Sequence, residues 1–142
     1  MREILFRGKR VDNGEWVCGS LLIQSGEWLS KDEKTPDEYC IYGKQGEQYL
    51  VDANTIGQYT GIMCKTGKVF EGDIYTWTMD YDDYDAIKVL IGEYQDYSTG
   101  DKSYGVYGEN LNGKQFSIYQ AGFANIEISG NVYDNPELLK GE

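Results

Sequence analysis

The sequence predicts an all-β fold, mainly antiparallel, of short strands in a small barrel- or sandwich-like arrangement, ended by a short C-terminal helical turn. Three observations carry that expectation. The 142 residues hold 18 Gly and 13 Tyr but only 2 Pro, a composition of short strands, many turns and exposed aromatic rings. Turn signals built on Gly, Asn and Asp recur along the chain between short apolar runs. Helical periodicity is nearly absent, with a weak trace only at 120–125.

Residues 2–11 alternate around Ile4 and Phe6, and Asp12-Asn13-Gly14 supplies a strong hairpin signal. Residues 15–24 return as a strand with Trp16, Cys18 and Leu22, and Gly19 marks a bulge. Trp28-Leu29 adds a short apolar piece, and 31–38, polar and containing Pro36, reads as a mobile loop. Residues 39–42 and 49–51 form two strands joined by Gly43-Lys44-Gln45-Gly46.

The next twenty residues organise the chain. Thr55, Ile56, Tyr59 and Thr60 start an extended segment that Gly57 and Gly61 interrupt, which predicts a bulge or a close backbone approach. Lys65-Thr66-Gly67-Lys68 turns, Val69-Phe70 re-enters a strand, and Glu71-Gly72-Asp73 turns again into Ile74, Tyr75 and Trp77. The two acids flanking Gly72 suit a turn, where they stay solvated or bond turn amides, better than a metal or phosphate site.

Residues 76–85 end in an acidic, tyrosine-rich loop or strand end, and Val89-Leu90-Ile91 marks a buried strand at 86–94. Tyr104, Val106 and Tyr107 make another strand, 115–120 alternates, and 126–133 is the last strand. Asp134-Asn135-Pro136-Glu137 then reads as a capped helix start, one turn pinned by Leu138 and Leu139.

The length fits one domain over 1–142, able to bury a core without metals or disulfides. Its formal charge is −11, unevenly spread. Arg2, Arg7, Lys9 and Arg10 against Glu3 leave residues 1–10 at +3, whereas ten acids against Lys88 and Lys102 leave 71–109 at −8. That balance excludes a general nucleic-acid binder, since phosphate neutralisation dominates such affinity. Cys18, Cys40 and Cys64 lie too far apart for a C-x-x-C pair and read as reduced thiols packed in strands, as in a cytosolic protein. The sequence predicts no membrane span and no signal peptide.

No His is present, which removes the commonest general base and metal ligand. Residues 108–115, Gly-Glu-Asn-Leu-Asn-Gly-Lys-Gln, approach a phosphate-binding loop. Gln115 replaces the required Ser or Thr and a strand follows instead of a helix, so Asn112-Gly113 reads as a hairpin turn. Asp80, Asp82, Asp83 and Asp85 offer hard oxygen ligands but lack the glycine and distal glutamate of an EF-hand, and a solvated acidic loop is the better reading. No nucleophile motif and no singled-out carboxylate pair is present, so neither enzyme activity, cofactor nor metal site is expected.

The Arg2–Arg10 segment with Gly14-Glu15-Trp16-Val17, then Thr55-Ile56-Gly57-Gln58-Tyr59-Thr60-Gly61, then Phe70-Glu71-Gly72-Asp73-Ile74, and finally residues 128–139, resemble the successive signatures of the YopX family. The blocks occur in order over nearly the whole chain. The resemblance implies a small protein of bacteriophages and prophages that acts inside the bacterial host, in the cytoplasm, and it carries no biochemical activity over. Cys18 departs from the tyrosine that many relatives have there, and 76–110 follows no family pattern.

That divergent, acidic, tyrosine-rich region is the candidate for partner binding. Tyr81, Tyr84, Tyr94, Tyr97, Tyr104 and Tyr107 are interleaved with acids, a composition of protein-binding surfaces. The competing expectation is that half of them pack on the sheet. Two functions follow: a non-catalytic β domain that binds a protein partner or itself as a homo-oligomer, or an acidic DNA mimic that occupies a host nucleic-acid-binding protein. Neither direct nucleic-acid binding nor membrane binding is expected. A weak enzyme would need a concave pocket with perturbed carboxylates.

Overall fold

The computed structural model describes residues 3–80 and 83–140. Among these residues the fold is all-β: two open antiparallel sheets, not a closed barrel, with one short α-helix and two 3-10 turns. The chain divides into two compact units, Met1–Tyr59 and Thr60–Glu142.

In the first unit, β1 (Phe6–Lys9), β2 (Trp16–Gln24), β3 (Glu38–Tyr42) and β4 (Gln48–Val51) lie in the order β4-β3-β2-β1, and the start of β5 (Gly57–Cys64) pairs with β1. The Asp12-Asn13-Gly14 signal is a true turn. Gly14 takes φ +73 and donates to the Arg10 carbonyl at 2.9 Å, a conformation that favours glycine. Gly19 serves close approach, not a bulge: a Cβ there would clash with the Tyr42 carbonyl.

The segment expected to begin extended at Thr55 begins as a 3-10 turn, η1 (Ala53–Thr55). Asp52 caps it by accepting from the Asn54 amide at 3.0 Å, and the Thr55 hydroxyl donates to the Asp52 carbonyl at 2.7 Å while accepting from the Lys9 amide at 2.9 Å. Side-chain bonds to nearby backbone offer Asp and Thr this alternative to a strand. The polar 31–38 segment holds a small hairpin, with Leu29 donating to the Glu33 carbonyl and Thr35 to that of Glu27.

In the second unit the rest of β5 pairs with β6 (Gly67–Phe70). Gly61, at φ +84, sits where the buried alternation of β5 slips: Tyr59 is buried, then Thr60, Ile62 and Cys64. The interruption falls at one of the two glycines that the sequence marks. The second sheet runs β10-β9-β8-β7-β11, from β7 (Asp73–Asp80), β8 (Asp83–Gln95), β9 (Lys102–Glu109), β10 (Gln115–Ser117) and β11 (Gly130–Asn131). α1 (Gln120–Phe123) falls on the trace of helical periodicity, and η2 (Pro136–Lys140) is the expected C-terminal turn.

The acidic second half of 76–85, expected as a loop or strand end, is in part strand end: Thr76 pairs opposite Ala86, Thr78 opposite Tyr84 and Asp80 opposite Asp83. Thr76, Trp77 and Thr78 are strand formers, and pairing carries the acids into the ladder. The last strand shrinks from 126–133 to two residues. Its flanks are held by single bonds instead: Lys65 donates to the Ile126 carbonyl, Ile128 to the Thr66 hydroxyl and Ser129 to the Ile74 carbonyl.

Ile62, Cys64, Val69, Tyr75, Ile87, Val89, Ile118 and Phe123 form the core of the second unit. Tyr75 and Phe123 meet edge to face at 4.9 Å, the preferred geometry for aromatic pairs. Asp73, also buried, accepts from the Phe70 amide at 2.8 Å. It binds a turn amide, as its sequence context predicts. Cys40 and Cys64 are buried thiols, but Cys18 is exposed, contrary to the expectation that all three pack inside.

Candidate binding groove

The groove that the second unit builds starts from strand alternation. On β8 the face that carries Ile87 and Val89 into the core also carries Asp85, because successive side chains alternate faces. On the neighbouring strands Gly108 stands opposite both Val89 and Phe116. A Cβ at Gly108 would meet Ile87 at 2.8 Å and the Phe116 ring at 2.9 Å. The glycine is the space into which Phe116 leans.

Two turns complete the walls. Asp96 opens a tight turn, its carboxylate accepting from the Ser98 hydroxyl at 2.6 Å, the Ser98 amide at 2.8 Å and the Thr99 amide at 3.2 Å. Those bonds, the Ser98 hydroxyl's first, hold its carboxyl below the usual range. Asn110 organises the β9–β10 turn by accepting from the Asn112 and Lys114 amides, with Gly113 at φ +79. The phosphate-loop-like stretch is therefore a hairpin turn.

The result is a cavity of about 480 Å³ floored by Ile87 and Phe116 and rimmed by Tyr97, Tyr119, Asp85, Asp96 and Lys114. That volume lies within the range of ligand pockets. Asp85 accepts from the Leu111 amide at 3.4 Å and from the Asn110 side chain at 3.5 Å. Burial, and secondarily the charge of Asp85, pushes the Tyr75 phenol above its ordinary value. Lys114 places its ammonium 5.4 Å from the centre of the Tyr97 ring, and Phe116 meets that ring edge-on at 6.4 Å.

The sequence-predicted tyrosines divide sharply. Tyr97 is 60% exposed and on the groove rim, and Tyr104 is 79% exposed on β9. Tyr94 is only 8% exposed and stacks on Tyr107 at 4.9 Å with the rings 18° apart. These two flank the Gly92–Gly105 pair of the β8–β9 ladder, and the absence of side chains there lets the rings close over it. Tyr84 is half-buried and donates to the Leu138 carbonyl at 2.9 Å, tying η2 to β8. Tyr81 lies outside the described residues.

Sequence reasoning missed Tyr119, 63% exposed, and Asp96, and it weighed Asp85 and Lys114 only as parts of an ion site and a phosphate loop. Tyr119 lies beyond the acidic region, and the walls meet only through the ladder register. Of the four acids weighed as an ion site, Asp82 lies outside the described residues and Asp85 turns toward 110–111.

Residues 5–140 match the family model described as YopX protein. The chain belongs to the YopX family. No curated protein and no solved structure matches it. The YopX match spans both compact units, so the groove lies within the region the family defines. No helix among the described residues is long and apolar enough to cross a membrane.

Proposed function

We propose that this YopX-family protein is a non-catalytic interaction domain of phage or prophage origin, acting in the bacterial cytoplasm, whose second unit holds a protein partner at the Tyr97–Tyr119 groove. The observation that carries this reading is the pair of exposed rings, Tyr97 and Tyr119, over an apolar floor of Ile87 and Phe116. Exposed tyrosines around an apolar centre with a polar rim are the anatomy of a recognition surface. The partner is a host or phage protein, or a second copy of this chain.

DNA mimicry draws less support from the same surface, because it needs rows of outward carboxylates. Asp73 is buried on a turn amide, Asp96 caps its own turn, and Glu109 faces Lys88 at 3.1 Å.

The test compares the protein with a Tyr97→Ser/Tyr119→Ser variant by sedimentation and by capture from bacterial lysate. The expected result is a self-association or a captured protein that survives high salt and is lost in the variant. A variant that behaves as the parent would overturn the reading. A captured DNA-binding protein released by salt and by duplex DNA would replace it with mimicry.

A further inference from the structure

We infer that the groove takes the cationic side chain of a basic protein segment, arginine foremost, between the Tyr97 and Tyr119 rings and the Asp85 carboxylate. The inference rests on the interaction reading and names the chemistry of the partner.

Four observations converge. The Tyr97 ring already accepts a cation, the Lys114 ammonium at 5.4 Å from its centre. An aromatic face attracts ammonium and guanidinium groups through its quadrupole. Asp85 reaches its partners only at 3.4 and 3.5 Å, at the long limit of hydrogen bonding, so its oxygens keep strong acceptor capacity for a cation in the cavity. Asp96, its carboxyl held below the usual range, also lines the groove. The unit as a whole holds fourteen acids against six lysines, a net of −8, which draws cations toward the site and repels anions. A guanidinium combines flat stacking on a phenol ring with paired bonds to a carboxylate, which an ammonium cannot do.

Lys114 decides between ligand classes. It is the one lysine among the groove's lining residues. For a cationic guest it is a competitor, occupying the Tyr97 face and adding like charge. For an anionic guest it is the anchor. The same substitution therefore moves affinity in opposite directions for the two guests.

The experiment titrates a short fluorescent arginine–glycine peptide, and a matched glutamate–glycine peptide, into the full chain and into Lys114→Gln, Asp85→Asn and Tyr97→Leu variants. Circular dichroism confirms the fold of each, and Asn at 85 keeps an acceptor for the Leu111 amide. The arginine peptide is expected to bind the parent, about two- to fivefold more tightly to Lys114→Gln, about tenfold more weakly to Asp85→Asn and about two- to fivefold more weakly to Tyr97→Leu. Preference for the glutamate peptide with loss on Lys114→Gln would overturn the inference. So would indifference of the arginine peptide to all three variants, or its failure to bind, even where capture of a protein through the exposed tyrosines persists and the broader reading stands.

Discussion

Tyr94 and Tyr104 separate a packed ring from a presented one, and alanine at each gives very different costs. Tyr94 is 8% exposed and Tyr104 79%. Truncating a buried aromatic costs about 3–5 kcal/mol. The stack on Tyr107, at 4.9 Å and 18°, accounts for about 0.5–1.5 kcal/mol of that. Truncating an exposed ring costs less than about 0.5 kcal/mol. With a urea dependence of about 2 kcal/mol per molar, Tyr94→Ala lowers the unfolding midpoint by about 1.5–2.5 M, and Tyr104→Ala by less than about 0.25 M. Urea unfolding followed by far-ultraviolet circular dichroism reads both. A double-mutant cycle with Tyr94→Leu and Tyr107→Leu isolates the stack and is expected to return a coupling of about 0.5–1.5 kcal/mol. Equal midpoint losses at 94 and 104, or a cycle that sums to zero, would refute the assignment of one ring to the fold and the other to the surface.

Other perturbations address the turns and the charge pair. Asp73→Ala removes the carboxylate acceptor of the buried Phe70 amide and is expected to cost about 1–3 kcal/mol, with Asp73→Asn recovering part of it because an acceptor remains; thermal melts of the pair check this. Tyr84→Phe removes the bond to the Leu138 carbonyl for about 1 kcal/mol, and hydrogen exchange is expected to quicken across Pro136–Lys140 while the core strands hold. Glu109 has its carboxyl lowered by the Gln115 side chain and then by Lys88. A lowered folded-state pKa stabilises above the unfolded-state value and loses that stabilisation as pH falls through the folded-state value. The parent should therefore lose more stability than Glu109→Gln on acidification below the ordinary glutamate range, and equal acid slopes would contradict the pairing.

The strands were legible because local chemistry and tertiary pairing agree there. Asp12-Asn13-Gly14, Gly61 and Asn112-Gly113 each announce a positive φ that the fold uses at a glycine, and Val89-Leu90-Ile91 lies within the central strand β8. The acidic end of 76–85 reads from the sequence as either loop or strand end, and the choice between them follows from the facing strand. Shortening of the last strand to Gly130–Asn131 depends on bonds to Lys65, Thr66 and Ile74, which no local pattern encodes. The tyrosines illustrate the same limit. Tyr94 and Tyr104 sit in similar polar surroundings in the sequence, yet the Gly92–Gly105 pair gives Tyr94 a place to lie down beside Tyr107. Asp85, Asp96 and Lys114 meet across three elements, so their groove follows from register rather than from spacing along the chain.

The most direct measurement of the central claim places a photo-crosslinking phenylalanine at Tyr97, and in a second protein at Ile23 of the first unit, which is also exposed. Irradiation in bacterial lysate is expected to yield a discrete protein adduct from position 97, diminished by excess unlabelled parent, and none that competes from position 23. Adducts of equal yield from both positions, or none from position 97 that competes, would contradict the groove as the site of partner binding.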